Sequence, residues 1–497
     1  MKHSIALAVC AGMCGFCMPL PAQDTTFKDP APPVVMPLTE VPAPVPRPQQ
    51  GLRFFAPPRP LASNATTHDW RSFQGPTHNG VSTETPLLQR WPRGGPAKVW
   101  EVPKGEGYAT PAVVGDRVIL FHRIGNEEIV ECLHAETGQR FWKVAYPTAY
   151  QDEYGYSGGP RCQPISDGEH VFTFGAEGKL HCILLKTGQI VWKRDILSEF
   201  GLKQNYFGVG STPLLEGDLL IINVGAPGGP CVAAFHRKTG RMVWGAGKDW
   251  GQSYASPVPA TIHGRRRILV FAGGKSQPPS GGLLCIDPAN GAIDFALPWR
   301  ARRYESVNAS APLVIGNQVF LSECYGPGGV LLDLKPDGSF TRVWETRDLR
   351  THFMTAIHRD GYLYGIDGHG PRNAPLVCID LRTGKEKWRW EPEWEETVET
   401  PEGRRQIRLG QGLASMMLVD GRCLMLSEYG HLVWLDLNPE GYRELDRTRL
   451  FLARETWGMP ALSRGLLYVC QNHPDVLDGS PPRLICYDLR GSAAGKE

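Results

Sequence analysis

The chain has 497 residues, 41% of them hydrophobic and 21% charged, with a formal net charge of +2 at neutral pH. That is ample material for a packed core, and the near-balanced charge gives no reason to expect nucleic acid or an anionic membrane as partner. The 57 glycines and 43 prolines fall at short, regular intervals, which excludes a fold of long helices and predicts many short strands.

The N-terminus reads as an export signal over residues 1–22. Lys2 supplies a positive start, an apolar run begins at Ile5, and Leu20-Pro21-Ala22 resembles a cleavage site. The apolar run is too short to span a bilayer comfortably, and no later segment reaches that length without charges, so no transmembrane segment is expected. Cys10, Cys14 and Cys17 follow Val9, Met13 and Phe16, where a lipobox needs a small side chain. Cleavage and release are therefore expected rather than lipidation. Residues 23–68 carry eleven prolines and cannot build a core of their own, which predicts a disordered tether or spacer.

From residue 69 two elements alternate. One is a glycine turn followed by an aromatic strand: Thr137-Gly138 before Trp142, Thr187-Gly188 before Trp192, Thr239-Gly240 before Trp244 and Thr383-Gly384 before Trp388. Degenerate copies place Gly291 before Phe295, Gly338 before Trp344 and Gly441 before Leu445. The glycine supplies the positive φ that a tight hairpin requires. The other element is an apolar hairpin that starts at Thr110, Gln163, Thr212, Ser256, Ala311, Thr355, Ser415 and Met459, eight starts at intervals of 44 to 60 residues. Two hairpins per unit make four antiparallel strands, and the interval is that of one propeller blade. The eighth unit ends near Leu489 without an aromatic strand, while Lys98-Val99-Trp100-Glu101-Val102 stands unpaired ahead of the first. The expected fold is thus an all-β, eight-bladed β-propeller of four-stranded blades over residues 69–490. It is closed by this N-terminal strand, with a flexible tail at 491–497.

The repeated Thr-Gly-x-x-x-Trp hairpin resembles the quinoprotein-like (PQQ-type) propeller family. That family includes PQQ-dependent alcohol dehydrogenases and the propeller lipoprotein of the outer-membrane β-barrel assembly machinery. Asp69-Trp70-Arg71-Ser72-Phe73-Gln74-Gly75-Pro76 is similar to the opening of many exported members. The resemblance implies that Trp100, Trp142, Trp192, Trp244, Trp344 and Trp388 dock each blade against its neighbour.

Cys132, Cys182, Cys285, Cys378 and Cys486 occupy one repeat position. Equivalent points on packed sheets lie about 10 Å apart, whereas a disulfide needs Cα atoms within about 7 Å, so these five cannot bridge one another. Any bridge would have to use Cys162, Cys231, Cys324, Cys423 or Cys470, and no pairing is assigned. PQQ alcohol dehydrogenases typically hold their cofactor against a ring of two adjacent cysteines, which this chain lacks. It also has no CxxCH haem site, and no cluster has structural-zinc spacing.

If the first strand of each blade lines the channel, the segments leading into the blades and the mid-blade loops share one face. Tyr108, Arg161, Tyr254, Asn308, Glu323, His352, Asp367, Glu428 and Trp457 are the candidate ligand-binding residues on that face. Rings there could stack a planar ligand or sugar; equally, bulky groups on converging strands serve to plug a channel. Two functions follow. The first is a monomeric binding or scaffolding propeller of the cell envelope, periplasmic and without its own catalysis. It would hold a protein, small-molecule or carbohydrate ligand and need no cofactor or metal. The alternative is a PQQ- and Ca²⁺-dependent dehydrogenase of an alcohol or sugar, with Asn308, Glu323 and Asp367 as metal ligands and base.

Overall fold

The computed structural model describes residues 27–370, 374–400 and 403–492. The expected signal segment and most of the expected tail lie outside them. Blade 1 consists of Ala112–Val114, Arg117–Ile124, Glu127–His134 and Arg140–Pro147, ordered from axis to rim with each strand antiparallel to the next. The innermost strands of blades 2 to 7 are Ile165–Ser166, Leu214–Glu216, Val258–Ile262, Leu313–Ile315, Ile357–Arg359 and Ser415–Val419. Blade 8 takes Ala461–Ser463, Leu466–Gln471 and Arg483–Asp488 from the C-terminal end, and its outer strand is Ala97–Pro103 from the N-terminal end. The N-terminal strand therefore closes the ring.

Each apolar core cluster straddles a junction between blades; the largest joins blades 7, 8 and 1. The repeat motif explains how. In every blade the third and outer strands slip register at the same place, as at Cys132/Leu133 and Cys182/Ile183. Such a bulge twists the outer strand and re-aims its side chains. Opposite Cys132, Cys182, Cys378 and Cys486 stand Trp142, Trp192, Trp388 and Trp100. The Trp142 indole donates to Leu185 O in the next blade (2.9 Å), and Trp100, Trp192, Trp244, Trp344 and Trp388 make the equivalent bond. Its ring lies on the turn glycine of that next blade. A Cβ on Gly188 would stand 2.8 Å from Trp142, and one on Gly138 would stand 2.7 Å from Trp100. The glycine is thus required twice, for its positive φ and for the missing methyl. All ten described cysteines are free, nine of them buried.

The proline-rich segment departs from the expectation of a disordered tether. Residues 27–59 run along the rim against chain order, from blade 3 to blades 2, 1 and 8. Asp29 accepts from Met242 N in blade 3 and pairs with Arg194 of blade 2 at 2.5 Å. Val34–Val35 adds to the outer strand of blade 2, Arg47 bridges Arg140 in blade 1, and Arg53–Phe54 adds to the closing strand of blade 8. Arg59 ends the strap on Asp488 at 2.9 Å. Proline cannot donate to a ladder, so pairing is confined to one- or two-residue stretches between prolines. The rim edges supply the partners that the segment cannot supply to itself.

One addition to the repeats lies between blades 6 and 7. Glu393–Thr400 and Gly403–Gly410 form a hairpin whose Glu396 pairs with His431 (2.6 Å) and Arg449 (2.5 Å) of blade 7. Among the described residues, no helix is long and apolar enough to cross a membrane.

Candidate functional site

Residues 69–82 form a loop inserted into the channel. It begins beside blade 1, where Trp70 exchanges two backbone hydrogen bonds of 2.9 Å with Val113 and Asp69 accepts from Gly115 N at the inner turn. Arg71 O and Ser72 O accept from Ser166 N and the Gln163 amide of blade 2. The loop then turns at Gln74 and Gly75, both at positive φ, and the Gln74 amide donates to Thr355 Oγ1 of blade 6 at 2.7 Å. It leaves through Gly80 and Val81–Ser82, which pair with blade 7. Blades 2 and 6 stand opposite each other in a ring of eight, so the loop crosses the axis. It closes the channel toward the glycine-turn face.

What remains is a blind funnel of about 320 Å³ on the opposite face, with Phe73 and Gln74 at its floor and side chains from all eight blades in its walls. The aromatic rings touch in an arc. Trp457 lies 5.2 Å from Tyr108, 5.8 Å from Tyr156 and 5.7 Å from Phe353, between ring centroids. Phe207 continues the arc, 5.7 Å from both Tyr156 and Tyr254. These rings sit on segments that lead into strands, so the geometry of the whole ring, not any single blade, brings them together.

Of the nine candidates, Tyr108, Arg161, Tyr254, His352 and Trp457 line the funnel, whereas Asn308, Glu323, Asp367 and Glu428 stand behind its wall. Asp367 is 1% exposed and committed to Arg350 (2.8 Å) and Arg389 (2.7 Å). The Asn308 amide donates to Ala272 O at 2.7 Å, and its own backbone carbonyl holds Tyr254 N and Ala255 N. Glu428 accepts from the Trp457 indole (3.1 Å) and Leu413 N (2.9 Å), so it positions a funnel ring. Burial pushes the Glu323 carboxyl up to about 7, against hydrogen bonds from Tyr325 N and Gly326 N and the nearby charges of Arg300 and Arg303. The same effect, with His369 beside it, holds His352 down at about 3, and its Nε2 meets the Tyr325 hydroxyl at 3.2 Å. Phe73, Gln74 and Tyr325 are funnel residues that the repeat pattern does not mark. The one clue to the first two is their place in a turn-rich segment outside the repeats.

The sequence profile of the family described as outer membrane protein assembly factor BamB matches residues 126–390, more than half of the chain. The chain belongs to this family. Its fold is similar to that of BamB from Moraxella catarrhalis, with 15% identity and a TM-score of 0.52 over 80% of this chain and 99% of that one. It is also similar to a europium-containing methanol dehydrogenase (12% identity, TM-score 0.59, 85% and 98% of the two chains). A third neighbour is the quinohemoprotein alcohol dehydrogenase of Comamonas testosteroni (12%, 0.55, 86% and 82%). No curated protein sequence matches the chain.

The dehydrogenase neighbours make PQQ with Ca²⁺ worth fitting to this BamB-family funnel, and the residues present do not suit it. The quinone is a tricarboxylate, but among the described residues the only guanidinium or ammonium in the lining is Arg161, already paired with Asp152 at 2.7 Å. Of the three expected metal ligands, Asp367 is held by two arginines, whereas Asn308 Oδ1 and Glu323 Oε1 are buried without a hydrogen-bond partner behind the funnel wall. Among the described residues, no three His, Cys, Asp or Glu side chains gather as a metal site.

Proposed function

We propose that this BamB-family propeller is a non-catalytic binding or scaffolding module of the cell envelope, exported by its N-terminal segment, with the blind aromatic funnel as its recognition face. The observation that carries this reading is the inserted loop at residues 69–82. It turns an axial channel into a one-sided pocket of rings, while Asp367, a carboxylate a dehydrogenase would use, is held by two arginines behind the wall. Family membership supports envelope association and binding to another molecule.

Loading purified protein with PQQ and Ca²⁺ should give no stoichiometric complex and no dye reduction with a panel of alcohols and sugars. Turnover that disappears in Asn308→Ala would overturn the reading. In cells, a photo-crosslinker at Tyr156 on the funnel mouth should capture a partner or ligand. The same group at Lys238, exposed on the opposite face, should not. Equal capture from both positions, or from neither, would count against the funnel as recognition face.

A further inference from the structure

We propose that the funnel takes an uncharged saccharide of one or two rings; this rests on the funnel being a binding site. Three features of the walls converge on that chemistry. The first is charge. Arg161 and Asp152 cancel each other with side chains only 11% and 2% exposed, no carboxylate stands in the lining, and His352 and His369 are both held below the ordinary imidazole range by burial. Among the described lining residues an anion meets no unpaired guanidinium or ammonium, and a cation meets only aromatic faces and no carboxylate, so ionic ligands regain little of their lost hydration.

The second feature is shape. Tyr108, Tyr156, Phe207, Phe353 and Trp457 form an arc of touching rings that offers flat apolar faces, and Tyr156 remains 45% exposed at the mouth. The third is polar capacity among the rings: Gln74 Oε1 at the floor is buried without a hydrogen-bond partner, and Thr110, Arg161 and Gln163 stand in the same wall. A wholly apolar ligand would leave Gln74 Oε1 without a partner. A pyranose matches both halves, with C–H faces for the rings and hydroxyl edges for the amides and the guanidinium. A volume of about 320 Å³ is at the small end for ligand pockets, which limits the occupant to one or two rings.

The test is calorimetric titration of the full chain with cellobiose and with N,N′-diacetylchitobiose, against choline and PQQ as charged probes. At least one disaccharide should bind, and Trp457→Ala should weaken it by roughly tenfold, the loss of one stacked ring. Tyr156→Ala, at an exposed position, should weaken it as well and leave the melting temperature unchanged. Tighter binding of choline or PQQ than of either disaccharide by the parent would overturn the proposal. If no probe binds but the Tyr156 crosslinker captures an envelope protein, the saccharide assignment falls and the binding-module reading stands. If neither occurs, both fall.

Discussion

The rim and the axis of this propeller are built on opposite principles. At the rim, one contact recurs around most of the ring: an indole donates to a carbonyl of the next blade at 2.7 to 2.9 Å and, for Trp100, Trp142, Trp192, Trp244 and Trp344, lies on that blade's turn glycine. At the axis the backbone contacts of the entering segments recur, as from Tyr108 and Ala109 to Pro160 and from Tyr254 and Ala255 to Asn308, but the side chains that line the funnel do not. The funnel takes Trp457 from one blade, Arg161 from another and Gln74 from a loop belonging to none. Repetition holds the ring together, and departure from repetition gives it a chemical face. Rim substitutions should therefore act on stability and funnel substitutions on recognition.

The largest expected effect is at the seam. Deleting residues 96–102 removes the outer strand of blade 8 and the Trp100 seat on Gly138, and should abolish the cooperative thermal transition followed by circular dichroism. An unchanged melt would break the account of closure. Next comes the seat itself. Gly188→Ala places a Cβ 2.8 Å from the Trp142 ring at a φ of +78° and should cost roughly 2–4 kcal/mol in denaturant unfolding. Gly316→Ala, at a φ of +60° with nothing within 4 Å, should cost only about 1 kcal/mol. Equal losses would mean that backbone conformation alone, not the indole, explains the motif.

An effect comparable to that of Gly188→Ala, but dependent on pH, is expected near the axis at Glu323, which is 2% exposed. Its carboxyl titrates near 7 when folded against an ordinary value of 4.5, so below pH 4.5 both states are protonated and it has no influence. As pH rises from 4.5 to 7 the unfolded state loses its proton first, and stability falls by about 3 kcal/mol in total, constant above pH 7. Glu323→Gln should therefore raise the melting temperature at pH 8 and leave it unchanged at pH 4. A gain at both would place the cause outside ionisation. Smallest in stability terms, Tyr156→Ala should leave the melt in place and change only what the funnel binds.

The same contrast governs what could be read from the sequence. Blade number, the closing strand and the tryptophan positions are legible because each is written several times, in residues whose backbone needs are strict. The strap at residues 27–59 was not legible, because its composition reports only that it cannot fold alone. Its partners are edges supplied by strands up to 429 residues away. Nor was the axial loop, since the pairing of Gln74 with Thr355 follows no period. For Asn308, Glu323, Asp367 and Glu428, the ends of strands and the leading segments gave the correct face but not the depth. Asp367 shows why: Arg350 and Arg389, which hold it, arrive from separate segments of the chain.

The strap has a consequence in time. Its residues are made early, yet their seats lie on blades 3, 2, 1 and 8, and Arg59 reaches Asp488 only when nearly the whole chain exists. The seam strand waits equally long for Arg483–Asp488. Contacts of such long range make the final assembly step late and slow. The chain stays open-ended until its last strand appears.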